Sequence, residues 1–137
     1  KALEQLGLPY RNEYILQSRY RDVRRTKAAT ADLLKLPDPP TCILMPDDYA
    51  ALGGILAIQE AGLRIPEDVS VIGFDGLDFL DHVSPRLTTV RQDAFSIGQR
   101  AAEMLLEHIE KKRDLKVWET VIVPVTLLEG ATVAIPN

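Results

Sequence analysis

The chain of 137 residues predicts an α/β fold built on a mainly parallel sheet. Short apolar runs such as Cys42-Ile43-Leu44-Met45 and Val69-Ser70-Val71-Ile72-Gly73-Phe74 read as strands. They alternate with stretches whose apolar residues recur every three or four positions, as helices require. Proline and glycine clusters punctuate the alternation.

Taken in order, Leu3 and Leu6 suit a short amphipathic helix closed by Gly7 and followed by Pro9. Glu13 to Leu16 is expected as a strand. Val23 to Leu34 reads as a helix ending before Leu36-Pro37-Asp38-Pro39-Pro40, where proline enforces a loop. Cys42 to Met45 is wholly apolar, so a parallel sheet is expected to bury it on both faces and leave Cys42 inert. A helix follows from Tyr49 to about Ala61, with Leu52, Ile55 and Leu56 on one face and Gly62 as its stop. Ile65-Pro66-Glu67-Asp68 turns the chain into the Val69–Phe74 strand, and Ser84-Pro85 leads to another at Leu87–Val90. A long helix runs from about Asp93 to Lys112, with Ile97, Ala101, Met104, Leu105, His108 and Ile109 as a stripe that calls for burial. Thr120 to Val125 is the last expected strand. The series opens on a helix with no strand before it to partner the sheet, the pattern expected of a piece of something larger.

Composition narrows the function. A net charge of −4 argues against a surface that grips nucleic acid, which needs clustered cations to displace counterions. The basic run Arg19-Tyr20-Arg21-Asp22-Val23-Arg24-Arg25 fits a solvated loop entering a helix. No apolar run approaches the roughly 20 residues that cross a bilayer, and Lys1 to Gly7 shows no signal-peptide pattern. Cys42 is the single cysteine, which excludes an intrachain disulfide and a multi-cysteine zinc cage. A cytoplasmic protein is expected.

Ligands of open α/β sheets bind outside the carboxyl ends of the strands. Two strands end there on acid: Met45 before Pro46-Asp47-Asp48, and Phe74 before Asp75-Gly76. If those strands are parallel neighbours, Asp47 and Asp75 share a crevice, where carboxylates accept hydrogen bonds from hydroxyls or amines. Plainer roles stay open: Asp48 is expected to cap the next helix, Asp47 to favour its dipole, and Asp75-Gly76 to make a turn. Nothing nearby supplies a nucleophile or positions a water for glycoside hydrolysis, so an enzyme is not expected. His82 and His108 lie far apart with no metal-ligand spacing, His108 reading as a core or interface residue. Gly53-Gly54 fits close helix packing, and Ser84 lacks a nucleophile elbow. No metal or cofactor is expected.

Asp47-Asp48-Tyr49-Ala50-Ala51-Leu52-Gly53 resembles the Asn-Asp-x-x-Ala-x-Gly stretch of LacI/GalR regulators. Gly62 to Asp75 resembles that family's signature, Ser84 to Gln92 the segment after it, and Ile97 to Leu106 the helix that follows. The resemblance covers most of the chain and implies part of a type I periplasmic-binding-protein fold, with a three-layer, mainly parallel sheet. Residues 1–87 would form most of the C-terminal lobe, 88–115 would return to the other lobe, and 116–137 would close the fold. The first lobe and a DNA-binding head would lie elsewhere.

The implied function is sensing a small effector, sugar-like, within a homodimeric transcription regulator, a repressor by preference. The alternative is a secreted sugar-binding protein of the same fold. Carried over position by position, Asp75 corresponds to the family's effector-binding aspartate and Asp47 to an effector-contacting Asn or Asp. Gln92 falls at a hinge-side position, and Tyr20 and Arg21 at the place of an aromatic that stacks on the effector. Tyr49, Phe79 and Leu80 would contribute to dimerisation. The chain departs from the pattern at Gly76, where an acidic residue is frequent, and at Leu127-Leu128-Glu129-Gly130-Ala131-Thr132, which lacks a customary arginine.

Overall fold

The computed structural model describes residues 2–8, 10–17, 20–110 and 120–135. Pro9, Arg19, Lys112 and residues 116–119, which figure in the expectations above, lie outside them.

Among the described residues, four strands form one sheet in the order β1 (Cys42–Leu44), β2 (Ser70–Asp75), β3 (Thr88–Gln92) and β4 (Val125–Leu128). β1, β2 and β3 run parallel, and β4 is antiparallel to β3. The described α-helices are α1 (Ala2–Gln5), α2 (Val23–Leu33), α3 (Asp48–Glu60) and α4 (Ala94–Glu110).

Local chemistry accounts for the two central helices. Asp22 caps α2, its Oδ1 accepting the Arg25 N–H at 3.0 Å. Thr26, Thr30 and Leu33 then form a buried stripe at helical spacing. That stripe packs on α3, where Gly53 permits the approach of α2 and Gly54 makes room for Met45. A Cβ on Gly53 would overlap the Val23 carbonyl, and one on Gly54 would overlap the Met45 methyl. Between α3 and the sheet lies a core of Met45, Ala50, Ala51, Ile55, Ile58, Val69, Val71, Leu80 and Leu87. Each large member removes enough apolar surface from water to contribute about 1.5–3 kcal/mol.

Thr132 bolts the end of the chain onto this core. Its hydroxyl donates to the Val71 carbonyl at 2.7 Å and accepts the Thr88 N–H at 2.9 Å, while its own carbonyl accepts the Val71 N–H at 2.8 Å.

Several expectations are corrected. Residues 12–14 form a single 3-10 turn instead of the strand expected over Glu13–Leu16. Tyr14 and Arg11 anchor it to Asp38, the hydroxyl to its carbonyl and the guanidinium to its carboxylate at 2.6 Å. β1 is not enclosed on both faces: it borders the sheet with β2 as its ladder partner, leaving Cys42 exposed and Leu44 70% exposed. The last strand lies at Val125–Leu128 and not Thr120–Val125, because pairing with Thr89–Gln92 sets its register. The stripe of α4 is not buried, since no residue of that helix is. Asp47, not Asp48, caps α3, its Oδ1 accepting the Ala50 N–H at 2.8 Å.

Candidate functional site at the strand ends

Parallel alignment brings the carboxyl ends of β1, β2 and β3 to one edge of the sheet. Leu44 pairs with Ile72, and Asp75 with Arg91, so Asp47, Asp75 and Gln92 emerge on the same side. The loop before α2 crosses that edge and supplies Tyr20 and Arg21.

Asp75 is the meeting point. Its Oδ2 accepts the Tyr20 hydroxyl at 2.8 Å and its Oδ1 accepts the Gln92 amide at 2.7 Å. The hydrogen bond to Asp75, then loss of solvent, holds the Tyr20 hydroxyl pKa above its usual value of 10.0. The Asp75 backbone sits at φ +112, a region that disfavours side chains, and Gly76 follows at φ +73. A Cβ on Gly76 would run into the Cα and Cβ of Arg91, so no larger residue has room at this position. That close approach seats Asp75 at the rim, half-buried and facing the loop.

Asp47 and Asp48 have different roles from Asp75 and from each other. Asp47 is fully buried, with one oxygen on Ala50 N–H and the other on Arg21 N–H at 2.9 Å. It fastens the loop to the start of α3. Asp48, also fully buried, accepts the Thr89 hydroxyl at 2.6 Å and the Leu77 N–H at 2.8 Å. It thereby holds the segment after Asp75 against β3. This brace was missed in the sequence: Asp48 and Thr89 are far apart in the chain, and only the doubled aspartate hinted at a second role.

The Arg21 guanidinium lies 5.4 Å from the Tyr20 ring centroid and 5.4 Å from that of Tyr49. Tyr49 in turn packs on Phe79 at 5.0 Å. Tyr49 and Phe79 are half-buried and neighbouring, whereas Leu80 is 4% exposed and belongs to the core. Leu80 therefore presents no surface to a partner copy, which corrects its expected place in an interface.

An open cleft of about 680 Å³ lies beside this cluster, between Tyr14–Gln17 and the edge of β1, lined by Met45, Phe74, Thr30 and Leu33 among others. It contains no charged side chain and none of the residues gathered at Asp75. The apolar cleft and the hydrogen-bonding cluster at Asp75 thus occupy separate places. Among the described residues no three His, Cys, Asp or Glu side chains group to hold a metal, and no helix is long and apolar enough to cross a membrane.

Comparison with known proteins identifies the family of this fold. A model of the periplasmic binding protein-like domain matches residues 1–133. The HTH-type transcriptional repressor PurR of Vibrio vulnificus is 37% identical over 120 residues, which are 87% of this chain and 36% of the repressor. A LacI family transcriptional regulator from Mycobacterium smegmatis superposes with a TM-score of 0.86 at 31% identity, over 98% of this chain and 50% of that one. A LacI family regulator from Enterococcus faecium with bound ribose gives a TM-score of 0.78 at 32% identity, over 97% and 48%. The chain thus spans between about a third and a half of the relatives it matches. It belongs to the periplasmic binding protein-like domain family, in the form carried by LacI-type transcriptional regulators.

Proposed function

We propose that this chain is the effector-reading part of a transcriptional repressor, with Asp75 as the acceptor that recognises a hydroxyl-bearing, sugar-like small molecule. The observation that carries the reading is the rim position of Asp75, whose carboxylate joins two strand ends and a loop through Tyr20 and Gln92. A carboxylate so placed accepts paired hydroxyls and costs little to reorganise. Gln92 and Tyr20 add a donor and an aromatic face, Arg21 adds a cation, and Asp47 holds the loop from behind. The related regulator with bound ribose supports a sugar as the ligand class.

Asp47 and Asp48 are committed to structural hydrogen bonds, which leaves Asp75 as the carboxylate to which we assign binding. Tyr49 and Phe79 are the surface we assign to homodimerisation. DNA reading belongs to a head outside these 137 residues, in keeping with a net charge of −4. The work of such a regulator places it in the cytoplasm. The effector acts by favouring one arrangement of the domain over another, and its differential affinity sets the size of the response.

Calorimetric titration with ribose, lactose and a panel of related sugars tests the reading. Asp75→Asn keeps shape and removes charge, so it is expected to weaken binding about 10- to 100-fold, the range of one charged hydrogen bond. Unchanged affinity in that variant overturns the assignment.

A further inference from the structure

The end of β2 runs into two consecutive residues of positive φ, Asp75 at +112 and Gly76 at +73. Glycine adopts such a backbone freely, but an aspartate stays there only when its surroundings hold it. Tyr20 and Gln92 bond the carboxylate oxygens of Asp75 from the rim, not its backbone. What fixes the turn lies on its buried side.

Gly73 and Thr89 face each other across β2 and β3. A Cβ on Gly73 would overlap Asp48 Oδ1, so the missing side chain makes the seat in which the Asp48 carboxylate rests. There Oδ1 accepts the Thr89 hydroxyl at 2.6 Å, and Oδ2 accepts the Leu77 N–H at 2.8 Å. Asp48 and Thr89 are both fully buried, so no solvent stands ready to replace a lost donor. Asp48 also lies in the first turn of α3, where the helix dipole favours a negative charge. The turn is thereby pinned at both ends, by the pairing of β2 with β3 before it and by the Leu77 N–H after it.

We propose that Asp48 and Thr89 are positioning residues for recognition: seated over Gly73, the buried carboxylate holds the Leu77 N–H and so keeps Asp75 in the backbone conformation that presents its own carboxylate at the rim. The effect on binding rests on the reading of Asp75 given above, whereas the effect on its backbone belongs to the ligand-free protein. Removing the Thr89 hydroxyl strips Asp48 Oδ1 of its donor, loosens the hold on Leu77 and lets the strain at Asp75 relax. The fraction of molecules with Asp75 in the presenting conformation then falls, and apparent affinity falls with that fraction. Both residues are buried beneath the rim and act through Asp75.

The test uses the full chain with Thr89→Val, which keeps the side-chain shape and deletes the donor, and Thr89→Ser, which restores it. In NMR of the ligand-free protein, the three-bond HN–Hα coupling of Asp75 is small at φ near +112. It is expected to rise in Thr89→Val as the residue turns toward extended backbone, and to return to the wild-type value in Thr89→Ser. A folded Thr89→Val protein with an unmoved coupling overturns the proposal. In calorimetry with D-ribose, Thr89→Val is expected to bind about three- to tenfold more weakly, in step with the lost population, and Thr89→Ser to recover. A moved coupling with unchanged affinity overturns the link from the Asp75 backbone to recognition. Should Asp75→Asn bind ribose as the wild type does, the reading of Asp75 fails instead, and the coupling alone decides the positioning role. If Thr89→Val does not fold, hydrogen exchange of the Leu77 amide in the wild-type protein decides. Protection of at least about tenfold is expected, and exchange at the rate of an exposed amide overturns the brace.

Discussion

Helices α3 and α4 are both rich in apolar residues, and they end in opposite surroundings. Eight residues of α3 are buried, among them Ala50, Ala51, Gly53, Gly54 and Ala57, whose small size lets α2 and β2 come close on either side. No residue of α4 is buried: Phe95 is 80% exposed and Ile109 64%. Yet α4 has the cleaner amphipathic pattern, with charge on one face and Ile97, Met104, Leu105 and Ile109 on the other. Periodicity shows that a face calls for burial. What buries it is decided by the neighbouring elements, and α4 leaves the sheet after Gln92 with residues 120–123 beside its stripe.

Truncating one isoleucine on each helix separates the two surroundings. Ile58→Ala in α3 empties a fully buried position and is expected to lower stability by about 2–5 kcal/mol. Ile109→Ala in α4 should stay within about 0.5 kcal/mol. Urea unfolding of both variants checks the contrast, and an equal loss at Ile109 would mean that the stripe is covered in solution.

A smaller effect is expected at Thr132. Thr132→Val keeps the shape but leaves the Val71 carbonyl and the Thr88 N–H without their buried partner. The same unfolding assay should register about 1–3 kcal/mol. A neutral result would show that the closing segment is not part of the core unit.

The smallest effect concerns pH. The Arg64 side chain and backbone N–H hold the Asp68 carboxyl at about 2, below its ordinary 3.8. A depressed folded pKa contributes stability that is present above pH ~4 and is lost as pH falls towards 2. The pair is exposed, so solvent screening keeps the contribution small. Asp68→Asn should flatten the acid limb of stability between pH 4 and 2 by slightly lowering the neutral plateau while leaving the value at pH 2 nearly unchanged, and an unaltered limb would remove Asp68 from the acid response.

Much of the fold was legible because local patterns and tertiary surroundings agree along α2, α3, β2 and β3. The failures share one cause. Both Asp47 and Asp48 suit a helix cap, and the extended backbone at Asp47 decides which serves. Residues 120–125 and 125–128 are comparably apolar, and pairing with β3 decides which becomes a strand. Thr132 carries no periodic signal at all. At the site, the strand-end logic placed Asp47 and Asp75 on one edge and the family resemblance added Gln92, but neither foresaw that Asp47 would be sealed beneath the loop. Nor did either foresee the hydrogen bond of Tyr20 to Asp75, because a bond spanning 55 positions leaves no trace in local spacing.

Recognition at the Asp75 cluster, as proposed above, and recognition in the apolar cleft beside it differ in which residues a ligand perturbs. Mapping amide shift changes while the full chain is titrated with a bound sugar from the panel separates the two most directly. Perturbation focused on Tyr20, Arg21, Asp75 and Gln92 is the predicted result. Perturbation confined to Leu16, Thr30, Ile43 and Met45, with Asp75 unmoved, would contradict it.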